Sequence, residues 1–452
     1  MPTPYEYIES HRAEFDKELT SFLRIASVSA DSKFKPQILE ACDFVAKKMK
    51  SAGLKTEVIE TEGNPLVYGE WLGAPGKPTI LIYGHYDVQP PDPLDLWISG
   101  PFEPTVRDGN IYARGATDDK GQMYLHLNAI EAWIKTVGKL PINVKVLIEG
   151  EEEIGSVAID RALPGLKDRL GCDAVVISDS SMFGPDQPAI TYGLKGIFYF
   201  ELFVDGPIRD LHSGTFGGSV KNPVNAIAEM LGKLVDAEGK VQVPGFYDDV
   251  VPLSELERGS IASLPFSDDE YKREMGVDQV FGEKGYSTLE RRWARPTCDV
   301  NGIWGGYQGE GAKTVLPAKA GAKFSFRLVP DQDPAKIEAG VRAFIKSVTP
   351  PGIKVRLEHH HGAAAVVVPL DSAPVKGATR ALAHAYGKQP VYIREGGSIP
   401  ICSSFKKVLG VDSLMLGFGL NDDNTHSPNE KFCLKDYHRG ALAIAHLFEE
   451  LA

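Results

Sequence analysis

His85 and Asp87 stand two residues apart in "GHYDV", directly after the apolar run "PTILIYG" (78–84). Alternate side chains on an extended backbone share a face, so this spacing lets a carboxylate lie beside the imidazole. Acidic residues gather in the same way elsewhere: Asp118 and Asp119 in "GATDDKG", Glu149, Glu151, Glu152 and Glu153 in "EGEEEIGS", and Asp179 in "ISDSS". His426, in "DDNTHSPNE", lies in a polar loop near the C-terminus. Taken singly, each piece has a plainer reading. A His-x-Asp pair is commonly a surface pair, an Asp before a helix commonly an N-cap, and a glutamate run commonly a solvated face. Their shared position at the ends of successive apolar runs, beside glycine or small residues, argues for a joint task. Crowded carboxylates raise one another's pKa unless a positive charge sits among them. Two or more imidazoles with three carboxylates suit Zn²⁺, Mn²⁺ or Co²⁺. So many carboxylates further suggest two ions sharing one of them, a pair able to clamp a hydroxide for hydrolysis.

The elements that must position these residues alternate along the chain. "PTILIYG" (78–84), "INVKVLIEG" (142–150) and "DAVVISD" (173–179) read as buried strands, and residues 121–138 as a helix. The opening segment carries Ile8, Phe15, Leu19, Phe22 and Leu23 at helical spacing. That alternation predicts an α/β layer with a mostly parallel sheet. In such sheets ligands bind outside the carboxyl ends of the strands, where the clusters could converge. After "ITYGLKG" the texture changes. "IFYFELFVDG" and "AKFSFRLVP" alternate as half-buried strands, with a helix around 222–236 between them. The α/β texture then returns, with helices at 373–387 and 435–451. The prediction is a discontinuous domain, residues 1–192 and 366–452, with an α+β domain inserted at 193–365. The stretch 245–290, rich in charge, Gly and Pro, yields no element assignment.

Bulk properties exclude several classes. A net charge of -12 over 452 residues leaves no basic stripe for nucleic acid. The longest apolar run, "AAAVVVPL", is far short of a membrane span. The N-terminus has neither the basic nor the apolar region of a signal peptide. Five scattered cysteines without a CxxC pair fit a reducing cytoplasm and offer no thiolate zinc site. "GYQGEGAKT" (306–314) falls short of a P-loop: Ala312 separates Gly311 from Lys313, and a strand-like run follows where a helix is needed. No GxSxG elbow is present, which disfavours a serine hydrolase.

"GHYDVQPP", "ARGATDDKGQ", "EGEEEIGS", "ISDSS", "RDLHSGTFGG", "REGGSIP" and "HSPNE", in this order, resemble the M20 metallopeptidases. Within that family the chain is most similar to the branch of cytosolic nonspecific dipeptidases and carnosinases. The resemblance implies a di-metal exopeptidase-type catalytic domain with an inserted lid and dimerisation domain. It implies that His85, Asp118 and Asp179 hold one metal, and that Asp118 bridges to a second held by Glu153 and His426. Asp87 then orients His85, and Glu152 is the general base. His212 in "DLHSG" acts in trans across a homodimer, polarising the scissile carbonyl. Arg327 clamps the substrate carboxylate, helped by Thr314 and Ser398. Glu395 takes a free α-amino group, and His361 in "HHHG" is a further contact, although the three consecutive histidines also read as exposed. Glu149 and Glu151 receive no role and are expected on a solvated or helix-facing surface. An Asp at 179, rather than a Glu, matches aminopeptidase-like and dipeptidase members. The expected reaction is cleavage of dipeptides by two divalent ions, zinc or manganese, with cobalt as a further option. Two rival readings are an amidohydrolase of N-acyl amino acids and a catalytically inert binding scaffold.

Overall fold

The computed structural model describes residues 2–452. The chain divides into two compact units. The first comprises the residues up to Tyr192, Val368–Ile393 and Ser404–Ala452; the second comprises Gly193–Val367 and Arg394–Ser403.

In the first unit the sheet runs, from one edge, Lys55–Ile59, Leu66–Trp71, Asn143–Glu149, Thr79–His85, Ala174–Ile177, Ser413–Met415 and Ala189–Leu194. The strand Thr79–His85 is central and parallel to both neighbours. Its chain connection leads to Asn143–Glu149 on one side, and the next connection returns to Ala174–Ile177 on the other. The carboxyl end of this strand is therefore the switch point at which α/β sheets open a crevice.

The central strands are buried almost throughout: Ile80, Leu81, Ile82, Val144, Val146, Ile148, Val175 and Val176 are at most 1% exposed. Near-continuous apolar runs of this kind belong to parallel strands covered on both faces. Helices Lys35–Ser51, Lys120–Val137 and Leu434–Glu450 contribute Val45, Met49, Leu127, Ile130, Ile444 and Phe448 to the same core. The opening segment forms two helices, Pro4–Ser10 and Arg12–Leu23, broken at His11.

Register aligns the strand ends. His85 lies opposite Glu149, and Tyr83 opposite Ile177. Asp179, two residues past Ile177, thus leaves the sheet level with His85.

The second unit is a four-stranded antiparallel sheet ordered Thr297–Gly305, Lys319–Leu328, Gly196–Asp205, Lys354–Ala363. Gly196–Asp205 alternates strictly between buried and half-buried positions. Phe198, Phe200, Leu202 and Val204 pack with Ile227 and Met230 of helix Pro223–Leu231 and Val341 and Phe344 of helix Pro334–Val348.

Two sequence expectations need correction. Texture assigns all of 366–452 to the first unit, yet 394–403 clusters with the second, where Ser398 is hydrogen-bonded to Lys195 and Arg327. The unassigned stretch 245–290 contains two short helices, Glu255–Ala262 and Asp268–Met275, and the start of a third, Thr288–Ala294. Their N-caps are Ser254, Ser267 and Ser287, each accepting from the backbone N–H of a glutamate three residues on. Ser254 with Glu257 and Ser287 with Glu290 form full capping boxes.

His126 sets an acid limit on the first unit. It is fully buried on helix Lys120–Val137 with Nε2 at 2.8 Å from Ser178 Oγ, and burial pushes its pKa down to about 3. Below about pH 6.5 the unfolded chain takes up a proton that the native site refuses until about pH 3. Stability is therefore lost as pH falls through that window. In metal-free protein, H126N is expected to reduce the slope of unfolding free energy between pH 6 and 4 by about 1.4 kcal/mol per pH unit, measured by urea denaturation.

Candidate metal centre

His85 is the fixed point of the centre. It closes the central strand and is wholly buried. Its Nδ1 faces two acceptors of Asp87, the backbone carbonyl oxygen at 3.1 Å and Oδ1 at 3.4 Å. The ring proton therefore belongs on Nδ1, and Nε2 is left with a lone pair. That Nε2 is buried without a hydrogen-bond partner, although Asp118 Oδ1 is 3.2 Å away and Asp179 Oδ2 3.9 Å away. A lone pair facing carboxylate oxygens is repulsive unless a cation or a proton lies between them.

Asp118 faces a second imidazole with its other oxygen: Oδ2 lies 2.9 Å from His426 Nε2, which is also 3.2 Å from Glu153 Oε2. Two donor groups result, His85–Asp118–Asp179 and Asp118–Glu153–His426, with the ligand atoms of each all within 4.8 Å of one another. Ligands about 2.0–2.2 Å from a zinc ion stand about 3–3.6 Å from one another. The donor set and its spacing fit two divalent cations sharing Asp118. A third group, Glu201, Glu358 and His360, lies in the second unit, but Glu358 is ion-paired with Arg356 and His360 with Glu201.

The electrostatics state the same demand. Burial, then the Asp118 charge, raises the Asp179 pKa. Burial raises that of Glu152 against the opposing His85 imidazole, and burial, then the Asp118 charge, raises that of Glu153 against His426 and His85. Burial acts against ionised Asp118 as well, but the imidazoles of His426 and His85 overcome it and hold its pKa low. His426, hydrogen-bonded to Asp118 and Glu153, is pushed up to about 10. Without added cations the cluster draws protons onto imidazoles and carboxyls alike.

Supporting contacts fix the ligands. Asp87, fully buried, accepts from the backbone N–H groups of Glu152 and Glu153, both at 3.2 Å, so one carboxylate holds the His85 ring and the glutamate turn. Gln89 Nε2 donates to Glu153 Oε2 at 2.8 Å. Asp119 Oδ2 accepts from His85 N–H at 3.2 Å. Gly84 makes room for this approach: a Cβ there would stand 2.6 Å from Asp119 Oδ2. Asp119 occupies the N-cap position of the following helix, but its side chain makes no capping hydrogen bond. Among the described residues none donates a hydrogen bond to the Glu152 carboxylate.

Glu149 departs from expectation. Glu149 is 1% exposed, accepts from Tyr83 Oη at 2.6 Å and Ser156 Oγ at 2.9 Å, and has its pKa pushed up to about 8 by burial. Its position opposite His85 places it inside. Glu151 faces a helix, joining a loop to its first turn: it accepts from Asn64 N–H at 2.8 Å and from Ala158 N–H of helix Val157–Leu170 at 3.2 Å. Sequence reading also missed Glu430, the last residue of "HSPNE". It is fully buried and accepts from Arg114 and from the backbone N–H groups of Gly115, Thr117 and Asp118. The preceding Ser-Pro-Asn reads as loop, and nothing local signals its partners.

The remaining candidates belong to the second unit. Arg327 Nη1 donates to Ser398 Oγ at 3.0 Å, and no carboxylate among the described residues pairs with Arg327. Ser398 donates to the Lys195 carbonyl, and Lys195 N–H donates to the Glu395 carbonyl at 3.2 Å. Burial raises the Glu395 pKa, with Arg292 opposing. Exposed Thr314 accepts from Ser213 N–H at 3.1 Å, which sets it beside His212. His212 Nδ1 accepts from Gly214 N–H at 3.1 Å and Thr215 N–H at 3.3 Å. Its proton therefore belongs on Nε2, which is left as an outward donor. His361 stacks on Tyr199 with ring centroids 5.3 Å apart.

Comparison with known proteins follows the same lines. The profile of peptidase family M20/M25/M40 matches residues 81–450. The chain is 36% identical over 462 residues to the Cys-Gly metallodipeptidase of Candida albicans, covering 97% of this chain and 95% of the relative. Human carnosine dipeptidase 1 is similar in structure, with a TM-score of 0.87 at 33% identity, covering 99% of this chain and 98% of that one. An M20 family metallo-carboxypeptidase from Sulfolobus solfataricus gives a TM-score of 0.88 at 34% identity, covering 97% and 99%.

Metal content tests the donor groups. D118A is expected to carry almost no tightly bound metal after dialysis, and H85A about one ion where the wild type carries about two, by elemental analysis. Wild-type content in D118A would contradict the shared-ligand geometry.

Proposed function

The chain belongs to peptidase family M20/M25/M40, and on that premise we propose that it cleaves dipeptides with free amino and carboxyl ends, using two divalent cations and Glu152 as general base. The observation that carries the reading is Asp118, whose two oxygens face two different imidazoles within one buried acidic cluster. His85, Asp118 and Asp179 would hold one ion; Asp118, Glu153 and His426 would hold the other. Imidazole and carboxylate ligands without thiolate suit zinc or manganese, with cobalt as a further option. When bound, the ions supply Lewis acidity, acidifying a water and polarising the scissile carbonyl.

Glu152 takes the proton of the attacking water and passes it to the amine nitrogen as the C–N bond breaks. A carboxylate left without hydrogen bonds and raised in pKa by burial is suited to holding that proton between the two transfers. Asp87 keeps the His85 lone pair on Nε2 and fixes the turn that carries Glu152. In the second unit, Arg327 with Ser398 and Thr314 receives the substrate carboxylate. Glu395 receives the α-amino group, and His361 borders the same sheet face. The partner is a second copy of the chain. His212 presents Nε2–H to the carbonyl oxygen in the partner subunit's site, where a donor aimed at developing negative charge lowers the barrier. The proposed compartment is the cytoplasm. All five cysteines are free, and no helix among the described residues is long and apolar enough to cross a membrane.

E152Q is expected to keep its metal while kcat falls by about 10²–10⁴-fold; a near-native rate would remove Glu152 from the base role. In steady-state assays after reconstitution with Zn²⁺, Mn²⁺ or Co²⁺, Ala-Ala, Cys-Gly and β-Ala-His are to be compared with N-acetyl-Ala. Turnover of free-amine dipeptides with little of the acylated compound is expected, and the reverse order would favour an amidohydrolase. H212A should lose activity with metal content intact. Mixing it with D118A should restore part of the rate if the histidine acts across subunits.

A further inference from the structure

Glu430 makes more of its carboxylate than any ligand does. Oε1 accepts from Thr117 N–H at 3.0 Å and Asp118 N–H at 3.1 Å. Oε2 accepts from Gly115 N–H at 3.0 Å and Arg114 Nη1 at 2.8 Å. Its own carbonyl accepts from Ala113 N–H at 3.1 Å. The side chain is fully buried, and Arg114 is 1% exposed. Four donors on two oxygens wrap the segment 114–118 around one carboxylate. Gly115 permits the wrap at φ +83°, where a Cβ would stand 2.6 Å from Val88 Cγ1.

Four residues before Glu430 is His426, on a loop with an independent neck. Lys431 N–H donates to the Asp423 carbonyl at 3.0 Å, and Lys431 Nζ to Asp423 Oδ1 at 2.9 Å. Within it Asn424, His426 and Asn429 all adopt positive φ, between 57° and 62°, a backbone conformation held only where surrounding contacts dictate it. Asn429 adds two contacts to the segment before Arg114, accepting from Ile98 N–H at 2.9 Å and donating to the Leu96 carbonyl at 2.8 Å.

We infer that Glu430 is a positioning residue that sets the distance between Asp118 and His426, and through it the affinity of the ion held by Asp118, Glu153 and His426. The inference rests on the ligand assignment above. His85 and Asp179 issue from adjacent parallel strands whose register is fixed by backbone pairing, so their spacing does not depend on Glu430. Asp118 and His426 lie on loops that run beyond the paired strands Asn110–Tyr112 and Lys431–Cys433, and past that pairing this carboxylate is the link that reaches Asp118 itself. Loss of the link loosens one donor group and spares most of the other. A glutamine cannot substitute, because its amide would set a donor against the donors of Gly115 and Arg114.

The test is a metal titration of folded E430Q and E430D with Zn²⁺ alone, reading the two dissociation constants separately by competition with a chromophoric chelator. Circular dichroism and thermal melts are recorded with and without metal. E430D keeps the charge but withdraws it by one methylene, so it reports the same link if E430Q fails to fold. The expected result is a rise of about tenfold or more in the dissociation constant of one ion, the one that H426A also loses. The other ion should change clearly less, since His85 and Asp179, two of its three proposed ligands, issue from paired strands and only the shared Asp118 is held by Glu430. A purely structural carboxylate would lower the melting temperature equally with and without zinc and leave both constants unchanged. That result, with H426A losing one ion as expected, overturns the inference alone. An H426A protein that still binds both ions overturns the ligand assignment and the inference with it.

Discussion

The first unit is organised around a concentration of negative charge that burial alone cannot tolerate. Asp118, Glu152, Glu153 and Asp179 meet at the carboxyl ends of parallel strands with two imidazoles among them. Desolvation raises the pKa of three of these carboxyls, and Asp118 stays ionised only because His426 and His85 attend it. The His85 lone pair facing Asp118 without a hydrogen bond is the sharpest sign that something positive completes the cluster. Two divalent cations answer the whole arrangement at once, which protons on individual groups do only piecemeal.

The fold supplies this charge with rigid mounts. Parallel pairing levels His85 with Glu149 and Asp179. Asp87 spans His85 and the glutamate turn, and Asp119 holds the His85 backbone. The proposed ligand His85 is thus fixed by Asp87 and Asp119, both buried, and Glu153 by half-buried Gln89. Such outer contacts determine ring orientation and ligand basicity as much as the ligands do. Exposed His426 is the exception, on a loop anchored by strand pairing only at its far end, where Lys431–Cys433 pairs with Asn110–Tyr112. The second unit is built differently, with its candidate substrate contacts on an antiparallel sheet and the segment 394–403 folded beside it.

The α/β class, the parallel centre of the large sheet and the inserted antiparallel unit are legible in the sequence because apolar runs of different texture mark them. Strands observed at Thr79–His85, Asn143–Glu149 and Ala174–Ile177 lie within a residue or two of the apolar runs. Chemistry-bearing residues at successive strand ends are legible for the same reason. Glu149 is not. A run of glutamates looks solvated until pairing register turns one of them inward onto Tyr83 and Ser156. Glu430 escapes because its partners are backbone N–H groups more than 300 residues away in the chain. The segment 394–403 follows one unit in texture and the other in space, since the Ser398 contacts are long-range. Along 245–290 the signal was available: Ser254 with Glu257 and Ser287 with Glu290 are capping boxes at helices too short for a periodic pattern.

Every role proposed for the first unit depends on Asp118 being a shared ligand. Anomalous diffraction from crystals grown with Mn²⁺ tests this most directly. Two peaks about 3.5–4 Å apart are expected, one within bonding distance of each Asp118 oxygen. A single peak, or two with Asp118 bound to only one, would contradict it.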